Sequence, residues 1–320
     1  MHSTGKTLAV ILLALVPSLS ADALPPGQLL AQGRVDDAIA SLQGKISSAP
    51  NDAESYNLLC RAYFALEEWN RGVAACEKAV SLDPGNGRYH LWLGRIYGEK
   101  ADRSNFLSAA GLASKVRDEF EKAVQLSPND AEARTDLAEF YLEAPGIVGG
   151  GRDRAEAQAQ KLDALDPAKA HWVRGRIAEK KKDSQSAEKE YRAAIEAAHG
   201  SGLTWFNLAL FYRHGQRWDE MEDALNHAVS APVERPEILM EAAEILVRAG
   251  RNLPGAIQLL HRYLSNSPVE LAPAFKAHYV LGTALEKQGD KQGAVQEYRA
   301  ALALAKNFSR AQEALNRVNR

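Results

Sequence analysis

The feature that most constrains this chain is a pattern of small and large apolar residues that recurs about every 34 residues. The clearest copy runs from Ala53 to Asn86 without a gap. Its apolar and small positions are spaced as one face of each of two successive helices, and they are Tyr56, Leu59, Cys60, Tyr63, Gly72, Cys76, Ala79 and Pro84. Because such a helix pair cannot bury its apolar face alone, the pattern predicts that successive pairs stack on one another.

Less regular copies of the pattern extend to Phe308, which predicts one continuous solenoid over residues 53–308. The segment 24–52 matches only the second helix of a pair, because Pro25 and Pro26 would truncate the first. We therefore expect a truncated N-terminal repeat there. Alanine, leucine, glutamate, lysine, arginine and glutamine recur throughout the chain, and this composition favours helix over strand.

This period and these residue types resemble the tetratricopeptide repeat, and the resemblance covers nearly the whole chain after residue 23. It implies an all-α fold, a right-handed superhelical solenoid of helix-turn-helix repeats. The arrangement is similar to that of exported bacterial members of the family. The segment 309–320 is expected to form a C-terminal capping helix, with Ser309 as its N-cap.

Two adjacent repeats are longer than the pattern allows, at the connection between their first and second helices. The first insertion, near 98–111, has helical spacing, so we expect the second helix to begin early, with Ser104 as its cap, and to protrude. The second insertion, near 144–152, is rich in glycine. Insertions in solenoids often map to the binding face, which makes this edge a candidate site formed by Phe106, Leu107, Pro145, Gly146, Ile147, Val148, Gly149 and Gly150. The alternative is that the glycines only permit a turn and that Ile147 and Val148 pack against the lengthened helix.

The resemblance also implies a ligand-binding groove on the concave side of the solenoid, lined by the first helix of each repeat. The residues at the matching positions are Asn57, Arg61, Phe64, Arg88, Leu91, Arg95, Thr135, Glu139, Trp172, Arg176, Phe206, Leu210, Arg213, Tyr279 and Thr283. Arginine and aromatic residues alternate there, a mixture enriched in protein-binding hot spots, and an arginine could hold a partner's carboxylate through two hydrogen bonds. The alternative is that these arginines pair with acids of the chain itself, namely Glu139, Glu179 or Glu244.

Cys60 and Cys76 occupy the eighth and twenty-fourth positions of one repeat, at the same level of its two helices. A disulfide between them would stabilise the fold by roughly 3 kcal/mol in the chain-entropy model. It requires Cα atoms closer than about 7 Å, which is a short distance for facing helices. Two buried thiols acting as small apolar residues are the alternative.

Nothing in the sequence has the spacing of a catalytic, metal or cofactor site, so we expect no enzyme and no cofactor. The eight histidines lack the i, i+4 spacing of helical zinc sites, and His90, His171 and His278 are interpreted as packing residues of first helices. The 39 basic and 41 acidic residues are interspersed, which argues against nucleic-acid binding.

The first 23 residues have the pattern of a secretory signal peptide, with Lys6 before an apolar run that is too short to span a bilayer. Cleavage is expected after Ser20 or Ala23. The protein is therefore predicted to be exported, periplasmic or extracellular, and not to insert into a membrane after cleavage.

Together these observations predict a non-enzymatic scaffold outside the cytoplasm that binds a protein or peptide. It would use the concave groove and the enlarged edge of the two longer repeats. The alternative function is that of a structural accessory subunit in a cell-envelope or secretion assembly.

Overall fold

The computed structural model describes residues 24–320, apart from residues 233–234 and 267 and the side chains of Phe106 and Leu107. The described part consists of α-helices joined by short connections, with one 3₁₀ turn and an isolated β-bridge but no strand. The prediction of an all-α repeat solenoid is confirmed.

Helices follow one another as hairpins in chain order. The first four hairpins are α1 (Pro26–Ala31) with α2 (Val35–Ser48), α3 (Ala53–Ala65) with α4 (Trp69–Leu82), α5 (Gly87–Asp102) with α6 (Phe106–Leu126), and α7 (Ala131–Glu143) with α8 (Arg152–Leu162). The next four are α9 (Pro167–Lys180) with α10 (Ser184–Ala197), α11 (Gly202–His214) with α12 (Trp218–Ser230), α13 (Glu237–Ala249) with α14 (Leu253–Leu264), and α15 (Ala274–Gln288) with α16 (Lys291–Leu304). A last helix, α17 (Ser309–Val318), follows them.

The predicted signal peptide, residues 1–23, lies outside the described residues. The segment 24–52 contains a first helix of one and a half turns that begins at Pro26, next to a full-length second helix. Of the helices that are described, none is both long and apolar enough to cross a bilayer.

Within a hairpin the two helices approach most closely at the eighth position, where a side chain larger than that of alanine rarely fits. A Cβ atom on Gly94 would lie 2.5 Å from the ring of Phe120, and one on Gly282 would lie 2.6 Å from the ring of Tyr298. The aromatic residue occupies the twenty-fourth position in both hairpins. This contact sets the spacing of the helices and explains the small residues in the sequence pattern.

The hairpin of α3 and α4 has a different contact at the same two positions. Cys60 and Cys76 are joined by a disulfide there, and their Cα atoms are 5.2 Å apart. Both side chains are fully buried. The covalent bond takes the place of the glycine–aromatic contact seen at Gly94 and Gly282, and it ties α3 to α4 in the repeat next to the N-terminal one.

The enlarged second helix of the third hairpin begins early, as the sequence predicts, and α6 has 21 residues. Its cap is Asn105, whose side-chain oxygen accepts a hydrogen bond from the Ser108 N–H. The predicted cap, Ser104, was wrong, because its hydroxyl donates instead to the Lys100 carbonyl at 2.7 Å and closes the end of α5.

The glycine run between α7 and α8 turns the chain as its composition suggests. A 3₁₀ turn spans Gly146–Val148, and Gly149 follows with a φ of 101°, which favours glycine. A Cβ atom on Gly150 would lie 1.7 Å from the Ala144 carbonyl oxygen, so no larger residue fits there.

The last helix begins at Ser309, but Phe308 holds the N-cap position and no side chain caps the helix. The prediction that Ser309 is the cap was therefore wrong. Phe308 is fully buried, and its ring packs edge-on against Phe275 at 5.0 Å between centroids. Packing of this ring, rather than a capping hydrogen bond, fixes where the helix starts.

The two ends of the solenoid meet through apolar residues. A single buried cluster includes Leu29 and Leu30 of α1 together with Phe275 and Phe308 near the other end. Gly33, in the turn after α1, lies so close to the start of α15 that a Cβ atom would be 2.7 Å from the Ala274 nitrogen. The solenoid is therefore closed on itself, with its first and last hairpins in contact.

Polar contacts join the same two ends. The backbone N–H of Lys306 donates to Asp36 Oδ2 at 3.0 Å. Arg310 of α17 donates to Glu67, in the turn between α3 and α4, at 3.1 Å. Repeats in a solenoid normally contact only their neighbours, so these contacts are specific to the closed form.

Changing Gly282 to alanine tests the close approach within hairpins. The added methyl group would overlap the ring of Tyr298, so Gly282→Ala should lower the free energy of unfolding by about 1–3 kcal/mol. Gly44→Ala is the matched control, because a Cβ atom there meets nothing within 4 Å and alanine should add up to about 1 kcal/mol of helix stability. Chemical denaturation measures both changes, and equal stability of the Gly282 variant and the wild type would contradict the packing.

Candidate functional site

The first helices of successive hairpins surround a cavity of about 650 Å³ inside the closed solenoid. Its wall runs from Phe64 at the end of α3 to Leu239 in α13, and Leu271 of the α14–α15 connection also contributes to it. Aromatic and uncharged polar side chains in the wall include Trp92, Thr135, Trp172 and Asn207. Such a wall can offer both apolar contact and hydrogen bonds to a bound segment.

A second cavity of about 770 Å³ lies beneath the two enlarged hairpins. Small and apolar residues dominate its wall, and they include Ala109, Ala110, Ala113, Val116, Phe120, Phe140 and Val148. Phe64, Arg95, Asp136 and Glu139 line both cavities, so the two spaces adjoin. The groove and the insertion edge, which the sequence suggests as separate candidates, therefore belong to one elongated interior.

The two apolar residues of the 3₁₀ turn at this edge differ in burial. Val148 is only 8% exposed, and its carbonyl accepts a hydrogen bond from Arg117 of α6 at 3.2 Å. Ile147 is 94% exposed. The expectation that both pack against the lengthened helix is right for Val148 and wrong for Ile147, because the tight turn points successive side chains in different directions.

Part of the groove set predicted from the sequence does line this interior. Those residues are Phe64, Arg95, Thr135, Glu139 and Trp172. Asn57, Leu91 and Phe206 of the set are buried within the chain. The remaining ones lie outside the cavity walls, and they are Arg61, Arg88, Arg176, Leu210, Arg213, Tyr279 and Thr283.

Two of the predicted groove arginines form ion pairs with acids of neighbouring first helices. Arg95 contacts Asp136 and Glu132, each at 2.6 Å. Arg176 contacts Glu143 at 2.6 Å and Glu139 at 3.2 Å. The alternative in which groove arginines pair within the chain is therefore correct for both, and it includes the predicted partner Glu139.

Several residues of the cavity wall were missed by the sequence comparison. Trp92 and Asp136 each follow a predicted groove position by one residue, and Leu271 belongs to a connection rather than to a helix. The connection 265–273 is longer than the connection 83–86 between α4 and α5. This extra length is the signal in the sequence that could have identified the connection as part of the wall.

The three histidines interpreted as packing residues have a common arrangement. Nδ1 of His90 lies 2.6 Å from Glu119, that of His171 lies 2.8 Å from Glu190, and that of His278 lies 2.7 Å from Glu297. In each case the glutamate belongs to the second helix of the same hairpin. Within the described residues there is no group of three or more potential ligands placed to hold a metal ion.

Burial shifts the pKa of several carboxyl groups of the first helices. It raises the pKa of Asp136 and Glu139 above the ordinary range, although Arg95 and Arg176 respectively act in the opposite direction. On α13, burial and then the nearby charge of Glu237 raise the pKa of Glu241 to about 7.

Comparison with known proteins gives a consistent assignment. Three family models, each described as tetratricopeptide repeat, match residues 29–96, 168–198 and 240–309. No curated protein matches the chain. Among solved structures, the chain is similar to yeast Tom70, with 15% identity and a TM-score of 0.54 over 89% of this chain and 58% of that one.

Two further solved structures are similar to parts of the chain. One is TTC0263 of Thermus thermophilus, described as a thermophilic TPR protein, with 19% identity and a TM-score of 0.48 over 58% of this chain and 96% of that one. The other is MamA, with 21% identity and a TM-score of 0.43 over 55% of this chain and 96% of that one. At these identities the likeness concerns the fold alone.

Replacing Glu241 by glutamine tests the raised pKa in α13. A carboxyl whose pKa is higher in the folded than in the unfolded protein stabilises the fold when protonated, and this contribution is lost as pH rises from about 4.5 to about 7. Glu241→Gln should therefore match the wild type near pH 4 and be more stable at pH 8, by up to about 3 kcal/mol. Glu313→Gln, at an exposed position of α17, is the control. The free energy of unfolding is measured against pH for each protein, and parallel curves for Glu241→Gln and the wild type would contradict the prediction.

Proposed function

Because this chain belongs to the tetratricopeptide repeat family, whose fold generally serves protein–protein interaction, we propose that it is a non-enzymatic scaffold that binds a segment of another protein inside its solenoid. The observation that carries the proposal is the pair of adjoining cavities lined by Phe64, Arg95, Asp136 and Glu139. An elongated space suits several side chains of an extended or helical segment better than one compact ligand.

The composition of the wall supports this choice of ligand. Trp92 and Trp172 are large aromatic residues of the kind that dominate binding energy at protein interfaces. Arg95 and Arg176 lie over their rings, at 5.0 and 5.6 Å, and are held there by ion pairs. Aromatic side chains fixed in this way lose little conformational entropy when a partner binds.

Location outside the cytoplasm is part of the proposal. A disulfide such as that between Cys60 and Cys76 persists in oxidising compartments and is rare in cytosolic proteins. The sequence of residues 1–23 supports export by its signal-peptide pattern.

A second candidate function is that of a structural accessory subunit in a cell-envelope or secretion assembly. The observation in its favour is Ile147, a large apolar side chain that is 94% exposed on the insertion edge. Ile147 also lines the second cavity, next to Pro145 and Ala144, so another subunit seated at this edge would cover it together with that apolar wall. Stable co-purification at fixed stoichiometry would favour this candidate, and reversible capture of peptides by the isolated protein would favour the scaffold.

Truncation of Trp172 tests the scaffold. Peptides are first selected from a random library on the immobilised protein. They should bind Trp172→Ala at least about tenfold more weakly than the wild type, because loss of an aromatic hot-spot residue costs at least about 1.4 kcal/mol. Trp218→Ala is the matched control, because Trp218 lies outside both cavity walls. Fluorescence polarisation measures the affinities, with circular dichroism to verify folding, and selected peptides that bind both variants equally would contradict binding in the interior.

A further inference from the structure

The connection between α14 and α15 reaches across the solenoid to the opposite end of the chain. Glu270 of this connection accepts two hydrogen bonds from Arg61 of α3, from Nε at 2.6 Å and from Nη2 at 2.5 Å. Paired planar groups of this kind select a carboxylate by geometry as well as by charge. Arg61 thus does what the sequence comparison suggests for a groove arginine, but the carboxylate comes from its own chain.

This ion pair is largely removed from water. The side chain of Arg61 is 14% exposed and that of Glu270 is 18% exposed. The guanidinium of Arg61 also lies 5.3 Å from the centre of the Trp92 ring. A bidentate pair beside an aromatic ring is typical of a recognition contact, and it differs from the exposed pairs between adjacent residues of one helix.

The next residue, Leu271, lies in the wall of the 650 Å³ cavity together with Phe64 and Trp92. Its side chain is 56% exposed, so it enters the interior without filling it. Tyr263 fixes the shape of the connection, because its buried hydroxyl donates to the Ala272 carbonyl at 2.5 Å and accepts from the Val269 N–H at 2.9 Å.

We propose that Glu270 and Leu271 occupy the position of a partner segment, and that the partner presents an acidic residue followed directly by a large apolar residue. Such a segment would place its carboxylate on Arg61 and its apolar side chain against Phe64 and Trp92, in competition with the connection. The inference rests on the proposed scaffold function and adds the chemistry of the partner to it.

A neighbouring residue supports exchange of this contact. Asn57 lies one turn before Arg61 on α3, is fully buried, and has neither atom of its carboxamide hydrogen-bonded among the described residues. A buried amide without partners destabilises the arrangement that buries it. If the α14–α15 connection moved away from α3, water or the backbone of a partner could reach Asn57 and form the missing hydrogen bonds.

Binding of the connection's own sequence in trans is the test. A labelled peptide with the sequence of residues 266–273 is titrated by fluorescence polarisation against the full chain and against the double variant Glu270→Ala/Leu271→Ala. The double variant lacks the intramolecular competitor, which acts at a high effective concentration, so it should bind the peptide at least about tenfold more tightly than the wild type. A peptide with glutamine in place of the glutamate should bind about tenfold more weakly, because it loses the charge of the pair.

Arg61 provides the specificity control. Arg61→Gln in the double-variant background should abolish the tighter binding, whereas Arg299→Gln, at an exposed position of α16, should leave it unchanged. If the double variant does not fold, the single variant Glu270→Gln, which keeps the side-chain volume, takes its place and decides the result by the same titration.

The proposal is overturned if the folded variant does not bind the peptide, or if Arg61→Gln has no effect on binding. Peptides from the random library that still bind inside the solenoid, without an acidic residue followed by an apolar one, would overturn it as well. In these outcomes the scaffold function stands, because it depends on Trp172 and on capture of a segment of any sequence.

Discussion

Contact between the first and last hairpins determines what the interior of this solenoid can do. An open superhelix would expose its whole concave side, but here one apolar cluster includes Leu29 and Phe275, and Gly33 approaches the backbone of Ala274 too closely for any other residue. In the closed form the concave side contains two adjoining, half-open cavities. Stability of the closed form then depends on a few residues far apart in sequence, in addition to the nearest-neighbour terms of a repeat array.

Ion pairs within the chain occupy three of the arginines that the sequence suggests for binding. Arg95 and Arg176 already form ion pairs with acids on the adjacent first helices, so they are not free to bind a partner's carboxylate. Their guanidinium groups lie over the rings of Trp92 and Trp172 and hold these rings in place. Arg61 has its acid only because the α14–α15 connection reaches it. Of these three arginines, Arg61 is therefore the one whose pairing can be exchanged without breaking a contact between neighbouring repeats.

The sequence predicts local structure well and distant contacts poorly, for a physical reason. Hairpin boundaries and the long α6 follow from apolar spacing, and the small residues at Gly94 and Gly282 mark where helices approach. The residues that cap the helices were harder to predict. Ser104 donates its hydroxyl to a carbonyl of the preceding helix, and Phe308 is held at the start of α17 by packing of its ring. Closure was not predictable from any one repeat, since it depends on the rotation accumulated over all hairpins. The pairing of Arg61 with a residue 209 positions away depends on closure, so it could not be predicted from the sequence either.

A distance between the two ends measures closure directly. Spin labels at Gln43 of α2 and Gln312 of α17, both exposed positions, would report the separation of the first and last hairpins by double electron–electron resonance. Contact between these hairpins predicts a single narrow distance distribution at ordinary salt concentration. A broad distribution extending to the distances of an open superhelix would contradict the closed solenoid, and with it the two-cavity interior.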